Sequence, residues 1–170
     1  MLKIEQWKKN IILRTISDKI TKDDLKKYIK LGKEMLKYIK NPDNWWVWLA
    51  APQVWYNKRL IVVSLLKDRE DETYPTIIMI NPEILKHWNE KQISEEGCLS
   101  LPEETGKVPR FKEIKIKYFD EKLKEHVIKL NWLKSNIVQH EIDHLDWILF
   151  TDRIEENLKA KDFLIWENNI

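Results

Sequence analysis

The first half of the chain contains one segment in which apolar residues recur at helical spacing. Between Thr21 and Lys40, positions 25, 28, 29, 35, 36 and 39 are apolar. Intervals of three and four residues place these side chains on one face of an α-helix. Pro42 follows closely, and proline disfavours helical backbone in the residue before it. The pattern predicts an amphipathic helix over 21–40 that covers the core.

The middle of the chain is rich in strand patterns. Two apolar runs, RLIVVSLL at 59–66 and TIIMI at 76–80, are bounded by polar or proline-containing stretches and predict strands. Residues 112–118 and 124–130 alternate apolar with charged side chains, which is typical of half-buried strands. The polar residues 120–122 between these two segments predict an antiparallel hairpin.

A second helical period covers 133–149, where Ile137, Val138, Ile142 and Leu145 are apolar. The chain contains no internal repeat, low-complexity tract or linker. These patterns predict an α+β fold in a single domain over 1–170, with strands in the middle and a helix late in the chain.

The composition is that of a globular protein, with 43% hydrophobic and 34% charged residues. The net charge of only +2 indicates no large basic field that would demand a nucleic-acid partner, and the lysines are predicted to form a solvated surface. No window approaches the ~18 apolar residues of a membrane span. The start, MLKIEQWKKN, lacks the apolar segment of a secretory signal. We therefore expect a cytoplasmic protein.

The late helix carries a chemical pattern, HEIDH at 140–144. Histidines four residues apart lie about one turn apart on one helix face, so both imidazoles can reach one metal ion. Glu141 follows the first histidine, where its carboxylate can exchange protons with a reacting water. Two surface histidines on a polar face are the alternative, and the apolar neighbours argue against it.

A catalytic metal site needs a third protein ligand. Phe150 stands where the metzincin arrangement has a third histidine, and Glu155 and Glu156 follow HEIDH with little chain in which to fold back. Cys98, the single cysteine, is the remaining candidate, although a lone cysteine is usually a small buried hydrophobe. A small HExxH zinc peptidase stays open as an alternative.

Three motifs together resemble the peptide deformylase family. They are LAAPQ at 49–53, EGCLS at 96–100 and QHEIDH at 139–144, in the order and spacing of that family. The resemblance extends over nearly the whole chain. It implies antiparallel β-sheets packed around a central helix that carries HExxH. It also implies metal-dependent hydrolysis of the N-formyl group from the initiator methionine of nascent polypeptides, with release of formate.

Residue roles follow from this resemblance. It makes Cys98, His140 and His144 the ligands of one divalent metal ion, with Fe(II) expected as the native ion and Zn(II) as a possible one. Glu141 becomes the general acid and base. A mixed sulfur and nitrogen ligand set accommodates either metal.

The resemblance also implies how substrate is held. The Gln53 side chain and the Leu99 backbone N–H would bind the developing oxyanion. An extended formyl-methionyl peptide would be bound by Trp46, Val47, Trp48, Gly97, Ile137 and Val138.

Two further expectations concern partners and Arg110. The implied partners are N-formylmethionyl nascent peptides and, transiently, the ribosome near its exit tunnel, without membrane association or sequence-specific nucleic-acid binding. Arg110 follows the second motif, and either it pairs with an acidic group such as Glu96 or it is an ordinary surface arginine.

Tryptophan stands where the family has glycine at 46, 48, 55, 132 and 147. Two bulky side chains in the first motif would crowd the methionine pocket, so a catalytically impaired protein with a blocked pocket is one alternative. The chain has 9 tryptophans and 3 glycines, and the two counts together equal the roughly twelve glycines that average usage predicts. We hypothesise that many or all tryptophans are UGA codons that the source organism translates as glycine. The resemblance fixes no glycine at Trp7, Trp45 and Trp166.

Overall fold

A five-stranded antiparallel sheet with one helix on each face organises the chain. The computed structural model describes residues 2–44, 47–66 and 74–154. The helices and strands are α1 (Leu25–Ile39), β1 (Trp48–Ala50), β2 (Leu60–Ser64), β3 (Thr76–His87), β4 (Lys91–Cys98), β5 (Leu101–Phe111), β6 (Glu113–Phe119), β7 (Glu125–Asn131) and α2 (Trp132–Leu145). The large sheet has the order β1-β2-β3-β6-β7, and β4 pairs with β5 in a separate hairpin.

The apolar run in β2 reflects the covering of the large sheet on both faces. All five residues of this strand are buried. Leu60 and Val62 pack into the cluster that contains the inner face of α1. Ile61 and Val63 pack into the cluster that contains α2. A strand covered on both faces needs apolar residues at successive positions, which is the pattern that the sequence shows.

α1 lies against the sheet face opposite α2. Its buried residues include Tyr28, Leu31, Met35 and Ile39, at helical spacing. Gly32 faces β3, and a Cβ atom there would lie 2.9 Å from Cγ2 of Ile78. Glycine at this point therefore lets the helix approach the sheet closely. The helix begins at Leu25, because residues 22–24 form a turn ahead of it.

The predicted α+β fold class is confirmed. The predicted hairpin is antiparallel, with Glu113 opposite Asn131 and Phe119 opposite Glu125. In its turn, the Asp120 carboxylate accepts the backbone N–H groups of residues 122 and 124 at 2.8 and 3.0 Å. This side chain therefore fixes the turn that the polar segment predicted.

The prediction that the late helix continues to 149 is wrong, because α2 ends at Leu145. The N–H of Ile148 donates to the carbonyl of Asp143 at 2.9 Å, which closes the helix end. Trp147 sits in this closure with φ of 62°. A left-handed residue just past the end of a helix is usually glycine.

Four tryptophans adopt the left-handed backbone conformation. Their φ values are 85° at Trp7, 71° at Trp55, 52° at Trp132 and 62° at Trp147. The Cβ atom makes this conformation unfavourable by about 1–2 kcal/mol for an L-residue. No glycine among the described residues has a positive φ. The backbone thus requires glycine-like geometry at three positions where the resemblance expects glycine, and also at Trp7.

We expect Trp55→Gly, Trp132→Gly and Trp147→Gly each to raise the free energy of unfolding by about 1 kcal/mol over the matching Trp→Ala variant. Only glycine removes the penalty that Cβ imposes at positive φ. Urea unfolding measures the difference. Trp88 is the control, because its φ is not positive and Trp88→Gly should show no gain over Trp88→Ala. Equal midpoints for the glycine and alanine variants at all three sites would refute the strain argument.

The UGA hypothesis makes a separate prediction about the natural protein. Protein purified from the source organism should show glycine masses at 46, 48 and 55 in peptides that cover 41–58. Mass spectrometry of those peptides decides the matter. Tryptophan masses there would mean that the bulky side chains are native.

Candidate metal centre

Cys98, His140 and His144 come together in the interior. Their ligand atoms all lie within 4.8 Å of one another, and all three residues are buried. The two histidines lie one turn apart on α2, and Cys98 ends β4, which packs against that helix. The Cys98 Sγ atom is 3.2 Å from Nε2 of His144. The structure therefore assembles the three residues that the resemblance assigned as ligands.

Several polar atoms beside this cluster have no hydrogen-bond partner. Within the described part of the chain, they are His140 Nε2, His144 Nδ1 and both carboxylate oxygens of Glu141. Buried polar atoms are normally bonded, so this group of orphaned atoms needs an explanation. A metal ion with a water beside it would satisfy His140 Nε2 and the Glu141 carboxylate, whereas His144 faces Cys98 through Nε2 and its Nδ1 points away. A thiolate with two imidazoles is a donor set suited to Zn(II) or Fe(II). The residues present fit a metal ion.

Electrostatics at the two histidines differ. Burial lowers the pKa of His144 well below its usual value, so this imidazole is neutral and has a lone pair for an ion. Burial acts in the same direction on His140, but contacts with Cys98 and Glu96 outweigh it and hold the pKa of His140 well above its usual value. Metal binding must then displace a proton from His140, which makes affinity depend on pH.

Glu141 is fully buried, and burial raises the pKa of its carboxyl to about 8. A carboxyl with a high pKa holds a proton at neutral pH unless a positive charge is near. A cation among the three ligands would favour the ionised form. Glu141 is therefore placed to take up and release a proton near neutral pH.

A hydrogen bond from the backbone orients the side chain of Gln53. This residue lies in the short 3-10 turn Ala51–Val54, and its Oε1 accepts the backbone N–H of Ala50 at 2.8 Å. This contact turns Nε2 toward Cys98 Sγ, 3.4 Å away, and Ser100 Oγ, 3.2 Å away. The amide donor therefore faces the metal cluster. Leu99 lies next to Cys98 in the turn between β4 and β5.

Arg110 is buried, with 3% of its surface exposed. Its Nε and Nη2 donate to the two carboxylate oxygens of Glu96 at 2.8 and 2.9 Å, and its Nη1 donates to Asp143. The interpretation that Arg110 pairs with Glu96 is confirmed, and the surface interpretation is wrong. Arg153 donates to the other oxygen of Asp143 at 2.7 Å.

Glu96 connects this ion network to His140, a candidate ligand. Its Oε2 lies 2.8 Å from Nδ1 of His140. Burial raises the pKa of Glu96, but hydrogen bonds from Arg110 and His140 outweigh burial and lower it to about 2. The ionised carboxylate keeps the proton of His140 on Nδ1 and leaves Nε2 for an ion. Glu96 stands in the second motif, but no sequence pattern assigned this role to it.

A cavity of about 330 Å³ opens beside the cluster. Its lining includes four predicted substrate-binding residues, Val47, Trp48, Gly97 and Ile137, together with the unpredicted Leu66, Ser94, Glu95, Leu133 and Asn136. Val138 is a correction, because its fully buried side chain packs in the core between α2 and the sheet and does not line this cavity. Trp46 lies outside the described residues.

Comparison of the amino-acid sequence with known proteins identifies a family and similar chains. The sequence profile of the polypeptide deformylase family matches residues 1–160. The chain is similar to the peptide deformylase of Picosynechococcus sp., with 40% identity over 153 residues that cover 86% of this chain and 80% of the relative. The Synechocystis sp. peptide deformylase is 38% identical over 153 residues, which cover 90% of this chain and 79% of that protein.

Solved structures of proteins from the same family are also similar to this chain. A probable peptide deformylase from Synechococcus phage S-SSM7 superposes with a TM-score of 0.78 and 38% identity, over 90% of this chain and 99% of that one. The class I type b peptide deformylase from Acinetobacter baumannii, bound to Met-Ala-Ser, has a TM-score of 0.80 and 32% identity, over 89% of this chain and 97% of its own.

We expect Cys98→Ser to weaken Zn(II) binding by more than about 100-fold, because loss of a ligand should exceed the effect of losing a supporting contact. Glu96→Gln retains all three ligands and should weaken binding by only about 10–100-fold. Titration of the metal-free protein against a competing chelator measures both. Unchanged affinity in Cys98→Ser would favour a zinc peptidase whose third ligand lies elsewhere.

Proposed function

The chain belongs to the peptide deformylase family, and on that premise we propose that Cys98, His140 and His144 hold the metal ion of its active site. The enzyme is a hydrolase that removes the formyl group from nascent polypeptides. The observation that carries the residue assignment is the cluster of three ligand atoms within 4.8 Å of one another.

Glu141 is the acid and base of the proposed mechanism. When bound, a divalent ion supplies a Lewis acid that polarises the formyl group and acidifies the attacking water. Glu141 takes a proton from the water as it attacks the formyl carbon, and gives it to the amine nitrogen as the C–N bond breaks. The products are formate and a peptide with a free amino group on methionine.

Gln53 stabilises the charge that develops on the formyl oxygen. Its Nε2 faces the cluster because Oε1 is held by the Ala50 N–H. A donor fixed before the reaction needs no reorganisation in the transition state, which is why such donors contribute strongly to catalysis. The Leu99 N–H, next to the Cys98 ligand, is the proposed second donor.

The peptide lies in the cavity between two strand edges. Among the described strands, β1 is at the end of the large sheet and β4 pairs only with β5, so each presents an open edge near Val47 and Gly97. An extended peptide can pair with such edges, while the methionine side chain enters the cavity against Ile137. Trp48 narrows this cavity, and glycine at this position would widen it.

The remaining assignments concern the identity of the metal ion, the cellular location and contact with the ribosome. We propose Fe(II) as the native ion and Zn(II) as a substitute, a cytoplasmic location and transient contact with the ribosome. The nascent chain substrate supports the last two. No helix of the described segments is long and apolar enough to cross a membrane.

We expect Glu141→Gln to lower kcat by about 10²–10⁴-fold, because the proton acceptor is lost. Gln53→Ala should lower kcat by about 10²–10³-fold. Both variants keep the three ligands and should retain bound metal. Formate release from formyl-Met-Ala-Ser, with metal content measured in parallel, tests this. Full activity in Glu141→Gln would overturn the proposed role.

A parent chain that binds metal and releases no formate would support the blocked-pocket alternative. The double variant Trp46→Gly, Trp48→Gly then separates steric blockage from absent chemistry. Formate release only in the double variant would locate the fault in the pocket. Inactivity in both would contradict the proposed function.

A further inference from the structure

The outer face of α1 and the C-cap of this helix carry a row of lysines. Lys26, Lys30, Lys33, Lys37 and Lys40 follow one another at intervals of four and three residues, and all are exposed. At helical rise, the row is about 21 Å long. We call these five residues the α1 lysine row. It is a straight line of positive charge on one helix face.

None of the lysines in the row forms an ion pair within the described ranges. Some lysines elsewhere do, since Lys8, Lys58, Lys112, Lys117 and Lys129 each have Nζ between 2.5 and 3.8 Å from a carboxylate oxygen. Other exposed lysines of the described ranges, such as Lys9 and Lys107, form no ion pair either, so the row is distinguished by its regular spacing on one helix face. Like charges three and four residues apart on a helix repel each other. Lys26 also lies in the first turn of α1, where the helix dipole disfavours positive charge. At the other end of the helix, Lys37 lies in the last turn and Lys40 at the C-cap, where the dipole favours positive charge. The dipole therefore accounts for these two lysines and not for Lys26, Lys30 and Lys33.

The position of the row suits a docking surface. The opposite face of α1 is buried against the sheet, and the cavity lies on the other side of that sheet between β1, β4 and α2. A partner bound along α1 would leave the entrance to the active site open. The row can therefore hold the enzyme on a surface while substrate enters.

We propose that the α1 lysine row binds the phosphate backbone of RNA without reading base sequence. A regular line of unpaired lysines complements a regular line of phosphates. Membrane insertion is disfavoured, because none of the exposed large hydrophobic residues of the described chain lies in α1. An enzyme that acts on nascent chains works beside ribosomal RNA, and this part of the proposal rests on the proposed function.

The test uses the full-length metal-loaded enzyme and a 20-base-pair RNA duplex of mixed sequence, with binding followed by fluorescence anisotropy between 50 and 200 mM KCl. Five phosphate contacts predict a slope of log K against log salt of about −4.5. The row variant Lys26→Gln, Lys30→Gln, Lys33→Gln, Lys37→Gln should make that slope less negative by about 3.6. Its affinity at low salt should fall at least about tenfold.

The matched control is Lys9→Gln, Lys107→Gln, Lys122→Gln, Lys124→Gln, which removes the same charge from exposed lysines outside α1. It should change the slope by less than about 1. Equal losses in the two variants would overturn the proposal, since net charge alone would then explain binding. Binding to phosphatidylserine vesicles with none to RNA would also overturn it, in favour of a membrane surface.

Two further measurements distinguish loss of the docking surface from unfolding of the variant and from failure of the proposed catalytic function. If the row variant unfolds, single Lys30→Gln and Lys33→Gln variants should each change the slope by about 0.9. Formate release from a short formyl-methionyl peptide should be unchanged in the row variant. Formate release without RNA binding rejects only the docking surface, and RNA binding without formate release rejects only the proposed function.

Discussion

The buried pairing of Arg110 with Glu96 and Asp143 is the interaction on which the active site depends. It ties together three elements, because Arg110 lies on β5, Glu96 on β4 and Asp143 on α2. Buried charges are tolerated only when they are paired, and removing one partner of such a pair typically costs about 3–5 kcal/mol. Cys98 lies two residues beyond Glu96 on the same strand, and His140 lies one turn before Asp143 on the helix. The ion network thus sets the separation of the candidate metal ligands.

α2 can carry so many polar residues because of where it lies. Its residues from Ser135 to Leu145 are all buried, with the large sheet on one side and the β4–β5 hairpin on the other. A helix enclosed in this way is usually apolar all round. Here Gln139, His140 and Asp143 each meet a polar partner, while the Glu141 carboxylate has no hydrogen-bond partner among the described residues. Polar side chains therefore share this helix with the apolar residues that predicted it.

Two independent observations concern the tryptophans. One is the count of glycine and tryptophan in the sequence, and the other is the backbone conformation, which is left-handed at Trp7, Trp55, Trp132 and Trp147. Backbone φ depends on the path of the chain and is independent of codon usage. Their agreement supports glycine at these positions in the natural protein. At Trp48 the support comes from the cavity instead, because that side chain lines it without a positive φ.

The sequence alone predicted the fold class, the β6–β7 hairpin and the three candidate metal ligands, since each depends on local spacing or on a complete motif. HEIDH needed only the helical period to place two histidines together. Contacts between distant residues depend on the tertiary structure. Glu96 and His140 are 44 residues apart in the chain, and no period predicts that they meet. Val138 and Ile137 are adjacent, yet only packing shows which one faces the cavity. Helical spacing alone aligns the five lysines of the α1 lysine row, whereas the fold decides that their face is exposed and that no carboxylate of the described residues pairs with them. A one-dimensional pattern defines the faces of an element, and the neighbours of each face depend on contacts between distant segments.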